Sequence, residues 1–256
     1  MSRKGLPPIL PMGVNQLERQ KTRKTILLVS FMLLPVTMYY LSPLLILQGA
    51  SKGIITGSLI FIFLLFFATL WLGRSFCGWL CPAGALQDIA SGMNGRAVKT
   101  GYPDRVKYLL WGAWLMVLFF LILKAGGFQR VDIFYRIRFG ISLTDPSGYL
   151  LYYFAMAAIL TLSLWLGRRP FCHYLCILAP FMVFSRRLSR LMGFHSIQLE
   201  SHRDKCINCM ICNKNCPMSL DVHSMVLEEN MFNSECILCG ACADSCPRDV
   251  ISLKWK

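Results

Sequence analysis

The chain has 256 residues, 55% of them hydrophobic, and a mean hydropathy of +0.50, which excludes an ordinary soluble domain and points to a membrane protein with a soluble appendage. Its 27 Lys and Arg against 13 Asp and Glu would suit a nucleic-acid partner. No nucleic-acid module accompanies them, however, and the basic residues border apolar spans, so the expected partner is the membrane and not a nucleic acid.

In chain order, Met1 to Lys24 is basic and reads as a cytoplasmic tail (residues 1–24), without the small-residue cleavage site of a signal peptide. Thr25 to Gln48 is apolar over the length of a bilayer crossing, with Pro35 and Pro43 as tolerated kinks. Ile54 to Gly73 is a second, uncharged span. Ser75 to Lys107 opens on Phe76-Cys77-Gly78-Trp79-Leu80-Cys81-Pro82 and continues as a polar loop with Arg96, Lys99 and Arg105. Tyr108 to Leu123 is a third span, Lys124 to Ser147 an outer loop, and Tyr149 to Gly167 a fourth span that returns at Arg168 and Arg169. Eighteen Lys or Arg fall on the inner side of this topology and five on the outer, so both termini are expected in the cytoplasm and the chain in the inner (cytoplasmic) membrane. Phe181 to Leu191 interleaves Arg186, Arg187 and Arg190 with apolar residues, and reads as an amphipathic segment lying along the inner interface.

The membrane part, residues 25–192, repeats itself. Leu70-Trp71-Leu72-Gly73-Arg74-Ser75-Phe76-Cys77 returns as Leu164-Trp165-Leu166-Gly167-Arg168-Arg169-Pro170-Phe171-Cys172 with one inserted residue, and each copy reaches a second cysteine four residues on, Cys81 and Cys176. Two repeated helical hairpins would thus present Cys77, Cys81, Cys172 and Cys176 at one membrane depth. Buried packing is the plain reading of such thiols. Four at matched positions point instead to a shared metal site, an iron-sulfur cluster or another thiolate-bound metal, with a dithiol pair in each turn as the alternative. His173, between two of these thiols, has no counterpart in the first copy, where Gly78 stands, and is read as a hydrogen-bonding residue at the interface.

Residues 193–256 carry a phrase repeated within about forty residues. Cys206, Cys209, Cys212 and Cys216 stand at C-x2-C-x2-C-x3-C followed by Pro217; Cys236, Cys239, Cys242 and Cys246 repeat the spacing, followed by Pro247. Two-residue gaps wrap three thiolates around one cube and the longer gap carries the fourth to its neighbour. This assigns Cys206, Cys209, Cys212 and Cys246 to one [4Fe-4S] cluster and Cys236, Cys239, Cys242 and Cys216 to a second. Zinc ribbons also use paired C-x2-C elements, but four cysteines per run, each closed by proline, favour iron-sulfur.

The expected fold is therefore an α-helical membrane protein of four transmembrane helices plus a small α+β ferredoxin-like domain with two clusters. In this combination the chain resembles the NapH type of membrane ferredoxin protein, which includes the quinol dehydrogenase subunit of periplasmic nitrate reductase systems, and is similar in its core to NosR and CcoG proteins. The resemblance implies an electron-transfer subunit of a membrane oxidoreductase, relaying electrons between the quinone pool and partner subunits of a redox complex, iron-sulfur or cytochrome proteins. Similarity to CcoG implies a second reading, a cysteine-based copper reductase. A non-catalytic membrane anchor or redox sensor for an iron-sulfur partner is a third.

Overall fold

The computed structural model describes residues 14–98, 101–137, 142 and 146–255. The start of the expected basic tail, with Arg3 and Lys4, lies outside the described residues, as does most of the outer loop from 138 to 145.

Helix α1 runs Val14–Met32, so the boundary expected at Lys24 falls inside a continuous helix. Proline then divides what was expected to be one kinked span. Pro35 stands in the first turn of α2 (Leu34–Thr37) and Pro43 opens α3 (Pro43–Ala50), with Ser42 capping α3 through the Leu45 amide at 3.4 Å. A proline with no N–H to donate suits a helix start better than a helix interior. Helix α4 (Gly57–Leu72) is capped by Thr56 and has 16 residues, a length of about 24 Å, short of a typical bilayer core. Helices α5 (Ser75–Trp79) and α6 (Pro82–Ser91) follow, then α7 (Val106–Lys124) and α8 (Pro146–Leu166). Two helical stretches among the described residues, 103–124 and 148–166, are long and apolar enough to cross a membrane, with mean hydropathies of 2.1 and 1.7. Only 11% of each is buried inside the protein, so most of their apolar surface is left for another apolar medium. Of the four expected spans, the third and fourth are therefore seen at full length, the second is short and the first is divided. Strand β1 (Ile54–Thr56) pairs in parallel with β2 (Arg130–Asp132), Ile54 opposite Arg130, and ties the start of α4 to the chain leaving α7.

The repeat is a three-helix unit: α4–α5–α6, and again α8 followed by α9 (Pro170–Tyr174) and α10 (Leu178–Leu191). The last helix of each unit packs on the first helix of the other, α6 on α8 and α10 on α4. Matching side chains fasten the exchange. Asn94 donates to the Leu164 carbonyl at 2.6 Å and Ser189 to the Leu70 carbonyl at 2.6 Å, with Ser185 donating to Phe66 one turn earlier. The helix over 181–191, read as an interfacial segment, packs through one face: Met182, Val183, Ser185, Arg186 and Ser189 are buried, while Phe184, Arg187, Arg190 and Leu191 stay exposed on the other. Both units leave their first helix through a glycine at positive φ, Gly73 (58°) and Gly167 (106°), a turn that residues with a Cβ rarely adopt.

After α10, β3 (Ile197–Ser201) pairs antiparallel with β4 (Ile251–Trp255). Between them lie α11 (Ile211–Asn215), α12 (Val222–Leu227) and α13 (Ala241–Asp244). One hydrophobic core runs from the repeat into this small domain, with Cys77, Cys172 and Met182 continuous with Cys216, Met218, Ile237, Cys239 and Cys242.

Candidate iron-sulfur sites

All twelve cysteines are free thiols. In the small domain they form two quartets. Cys206, Cys209, Cys212 and Cys246 line one small cavity, together with Ile207, Pro247 and Val250. Cys216, Cys236, Cys239 and Cys242 line a second, with Met218, Leu220 and Ile237. Each run therefore sends its fourth cysteine to the other, as the longer gap suggested. Loop backbone at positive φ makes this wrap possible: Asn208, Met210 and Leu238 lie between ligand-type cysteines in the left-handed region, and Gly240 (74°) stands just before α13. A small cavity with four converging thiols and mostly apolar walls suits a soft inorganic cluster.

The two quartets differ in setting. Cys209 is exposed, whereas Cys216, Cys239 and Cys242 are buried against the repeat. The inner quartet is docked by both Cys-x3-Cys elements at the same relative position. A Cβ on Gly78 would collide with the Ile237 carbonyl, so glycine there lets the ligand loop approach α5 directly. At the matching place in the second copy, His173 is buried, with Nδ1 at 3.0 Å from Asp104 and Nε2 at 3.1 Å from the Met218 carbonyl, two residues past Cys216. The Gly78/His173 difference in the repeat thus marks the two ends of one docking surface. Trp79 donates to the Leu238 carbonyl at 3.2 Å.

The four thiols of the repeat also converge. Cys77 and Cys172 are buried. Each touches the helix exchanged from the other copy: the Cys77 thiol lies 3.2 Å from Met182 Sδ, and Gln87 donates to Cys172 Sγ at 3.2 Å. Gln87 and Met182 stand at equivalent places, ten residues after the first cysteine of their own copies. Burial pushes Cys81 far above the ordinary thiol range, with the neighbouring Cys77, Cys172 and Cys176 adding to it, and burial with Cys172 and Cys77 pushes Cys176 to about 12. Burial likewise raises Cys172, and Cys81, Cys172 and Cys176 stay neutral unless a cationic centre takes up their charge. Among the described residues no three His, Cys, Asp or Glu side chains converge tightly enough for a single metal ion. Thiolates around one zinc would stand about 3.8 Å apart, whereas a cube holds its ligands farther apart.

Buried charge braces this region. Arg169 holds Asp88 through two hydrogen bonds of 2.7 and 2.8 Å and donates to the Cys77 carbonyl at 2.7 Å. Arg23 of α1 reaches the same carboxylate at 3.0 Å and the Gly78 carbonyl at 3.1 Å. On the other side Glu235, next to Cys236, accepts from Arg74 at 2.8 Å and from Lys107 at 2.7 Å. Burial opposes ionisation of Glu235, but Arg74 and Lys107 outweigh it and hold its carboxyl at about 2. Helix α1 adds a strap, with Arg19 and Gln20 bound to Asp244 and Gln20 to the Cys239 carbonyl at 3.0 Å. None of these partners was legible in the sequence. The one available signal was the Gly-Arg pair shared by both copies, which contains Arg74.

A family described as "4Fe-4S binding domain" matches twice, over 54–100 and 148–195, and one described as "4Fe-4S dicluster domain" matches 205–251. The only cysteines inside the first pair of matches are Cys77, Cys81, Cys172 and Cys176. Ferredoxin-type protein NapH of Escherichia coli is 25% identical over 84% of this chain and 75% of its own length. Regulatory protein NosR of Stutzerimonas stutzeri is 27% identical over 73% of this chain, which spans 26% of NosR. The chain is thus similar over most of its length to NapH-type ferredoxin proteins, and to part of NosR. An uncharacterised protein of Methanocaldococcus jannaschii is 26% identical over 82% of both chains. No solved structure matches.

Proposed function

We propose that the chain is an integral membrane electron-transfer subunit that passes electrons between the quinone pool and a partner redox complex, in the manner the name of the YccM relative, a putative electron transport protein, suggests. The observation that carries this reading is the continuity of one buried core through the membrane-edge thiols and the inner quartet, with the outer quartet facing the surface. Bound [4Fe-4S] centres would supply one-electron uptake and release at each station. The chain's own residues hold the stations in line. Gly78, Trp79 and His173 seat the inner ligand loops on the repeat, and α1 fastens α13 from outside. Addition of a quinol to the holoprotein in proteoliposomes should bleach the visible cluster absorption; no bleaching with any quinol, under conditions where dithionite bleaches it fully, overturns the reading.

The ligand assignment follows the cavities. Cys216→Ser should disturb the paramagnetic signal of the cluster held by Cys236, Cys239 and Cys242 while leaving the outer cluster's signal. Selective loss of the outer signal instead would reverse the assignment.

The same reading places four crossings in the inner membrane, α1–α2, α4, α7 and α8, with both termini and the small domain in the cytoplasm, because the inner side carries most of the cations. Protease added to inside-out vesicles should release fragments of the 193–256 region, and protease added to right-side-out vesicles should not. The opposite pattern would invert the topology.

A second reading, copper binding and reduction at the membrane-edge thiols, has one observation in its favour. The Met182 thioether beside Cys77 adds a soft donor of the kind that selects Cu(I).

A further inference from the structure

A cavity of about 630 Å³ separates α4 and α5 from the β3–β4 pair of the small domain. Its volume falls in the range of small-molecule sites. Its lining is almost wholly apolar and contains no carboxylate or histidine, while its one cation, Lys254, is paired with Glu200. Of its polar side chains Thr69 donates to the Leu65 carbonyl at 2.7 Å and Trp79 to Leu238 at 3.2 Å, which leaves Ser75 as the remaining hydroxyl of the lining, a setting for a largely apolar ligand with few polar atoms and not for a charged or sugar-bearing one.

The position of the walls narrows the occupant further. Phe76 adjoins Cys77, and Leu238 lies between Cys236 and Cys239, so one molecule in this cavity would touch the membrane-edge thiol element and the inner ligand loop together. The opposite wall is the apolar α4, through Leu65, Ala68 and Leu72. Leu72 and Leu80 are exposed where the cavity meets the outside, so entry is from an apolar surface. A ligand soluble in lipid, uncharged, flat enough to sit between two aromatic walls and able to exchange electrons with both neighbours is an isoprenoid quinone. We propose that this cavity is the quinone site, with the ring between Phe76, Trp79 and Leu238 and the isoprenoid tail along α4. The inference rests on the quinone reading of the function and gives it a location. On oxidation a quinol there would release two electrons, one at a time, to the neighbouring one-electron centres, and two protons to water on the side of the half-exposed Lys254, away from the apolar entry, becoming the quinone.

The test is photolabelling of the holoprotein in detergent with an azido-substituted isoprenoid quinone, followed by peptide mapping. Label is expected in the peptides covering 65–80 and 251–255, displaced by unlabelled quinone and not by phosphatidylethanolamine. Ala68→Phe and, separately, Ser75→Phe narrow the cavity from two sides and should each lower labelling by about tenfold and slow cluster bleaching by quinol to match, with iron content unchanged. Label confined to other peptides, or displaced equally by phospholipid, overturns the site. Unimpaired bleaching in both variants overturns the site while leaving the function intact. Absence of bleaching in the wild-type protein removes the function and the site together.

Discussion

Anaerobically prepared protein is expected to carry about twelve irons per chain, and the variant with Cys77, Cys81, Cys172 and Cys176 all replaced by serine about eight. The two quartets of the small domain account for the lower figure, because each lines a cavity of its own. The additional four rest on the exchange of α6 and α10, which puts Gln87 on Cys172 and Met182 on Cys77 and so draws two distant segments around one buried place. Burial and neighbouring thiols disfavour the charged forms of Cys81, Cys172 and Cys176, and a cluster core would remove that penalty. Eight irons in both proteins with no other metal would show the thiols to be packing or redox groups. Eight irons plus copper in the wild type alone would favour the copper reading.

Asp88→Asn should be the most damaging single change away from the cysteines. It leaves two buried guanidinium groups, Arg169 (0% exposed) and Arg23 (5%), without their carboxylate. Removing one member of a buried ion pair costs about 3–5 kcal/mol, because the survivor keeps its desolvation penalty and loses its partner. A loss of that size should lower the thermal midpoint in detergent by on the order of 10 °C for a chain of this length. It should also release iron, since Arg169 holds the carbonyl of Cys77. As a control, the Lys254–Glu200 bridge is half exposed on its lysine side, and Glu200→Gln should cost under about 1 kcal/mol. The sign of the pH effect follows from the carboxyl. Burial disfavours the charged form of Asp88, but Arg169 and Arg23 depress its pKa below the ordinary carboxylate value. The stabilisation is therefore complete above that ordinary value and is lost as pH falls through the lower, folded one. Equal melting of Asp88→Asn and wild type would show that Arg169 and Arg23 find other partners.

Local spacing carries local chemistry, and that much was readable from the residues. The C-x2-C-x2-C-x3-C runs define which thiols one loop can wrap around one object, and the repeated Trp-Leu-Gly-Arg phrase marks two copies of a turn that needs glycine at positive φ. Long apolar runs likewise announced α7 and α8, because apolar length alone is the criterion for a span. Hydropathy was a poorer guide over 25–48, where two prolines gave three helices in place of one span, and it did not tell which cations of 181–191 face inward. Arg186 there is buried against the small domain, donating to the Ile197 carbonyl at 3.2 Å, although a periodic basic pattern looks the same on a membrane surface. Only the tertiary structure decided that α6 and α10 trade places, that Asp88 neutralises Arg169 and Arg23, that Glu235 gathers Arg74 and Lys107, and that α1 straps α13. These contacts join residues 65 to 225 positions apart. No periodicity encodes such pairs. They follow from the requirement that every charge taken out of water in a packed interior meet its opposite, and where that opposite stands is settled by how the helices pack.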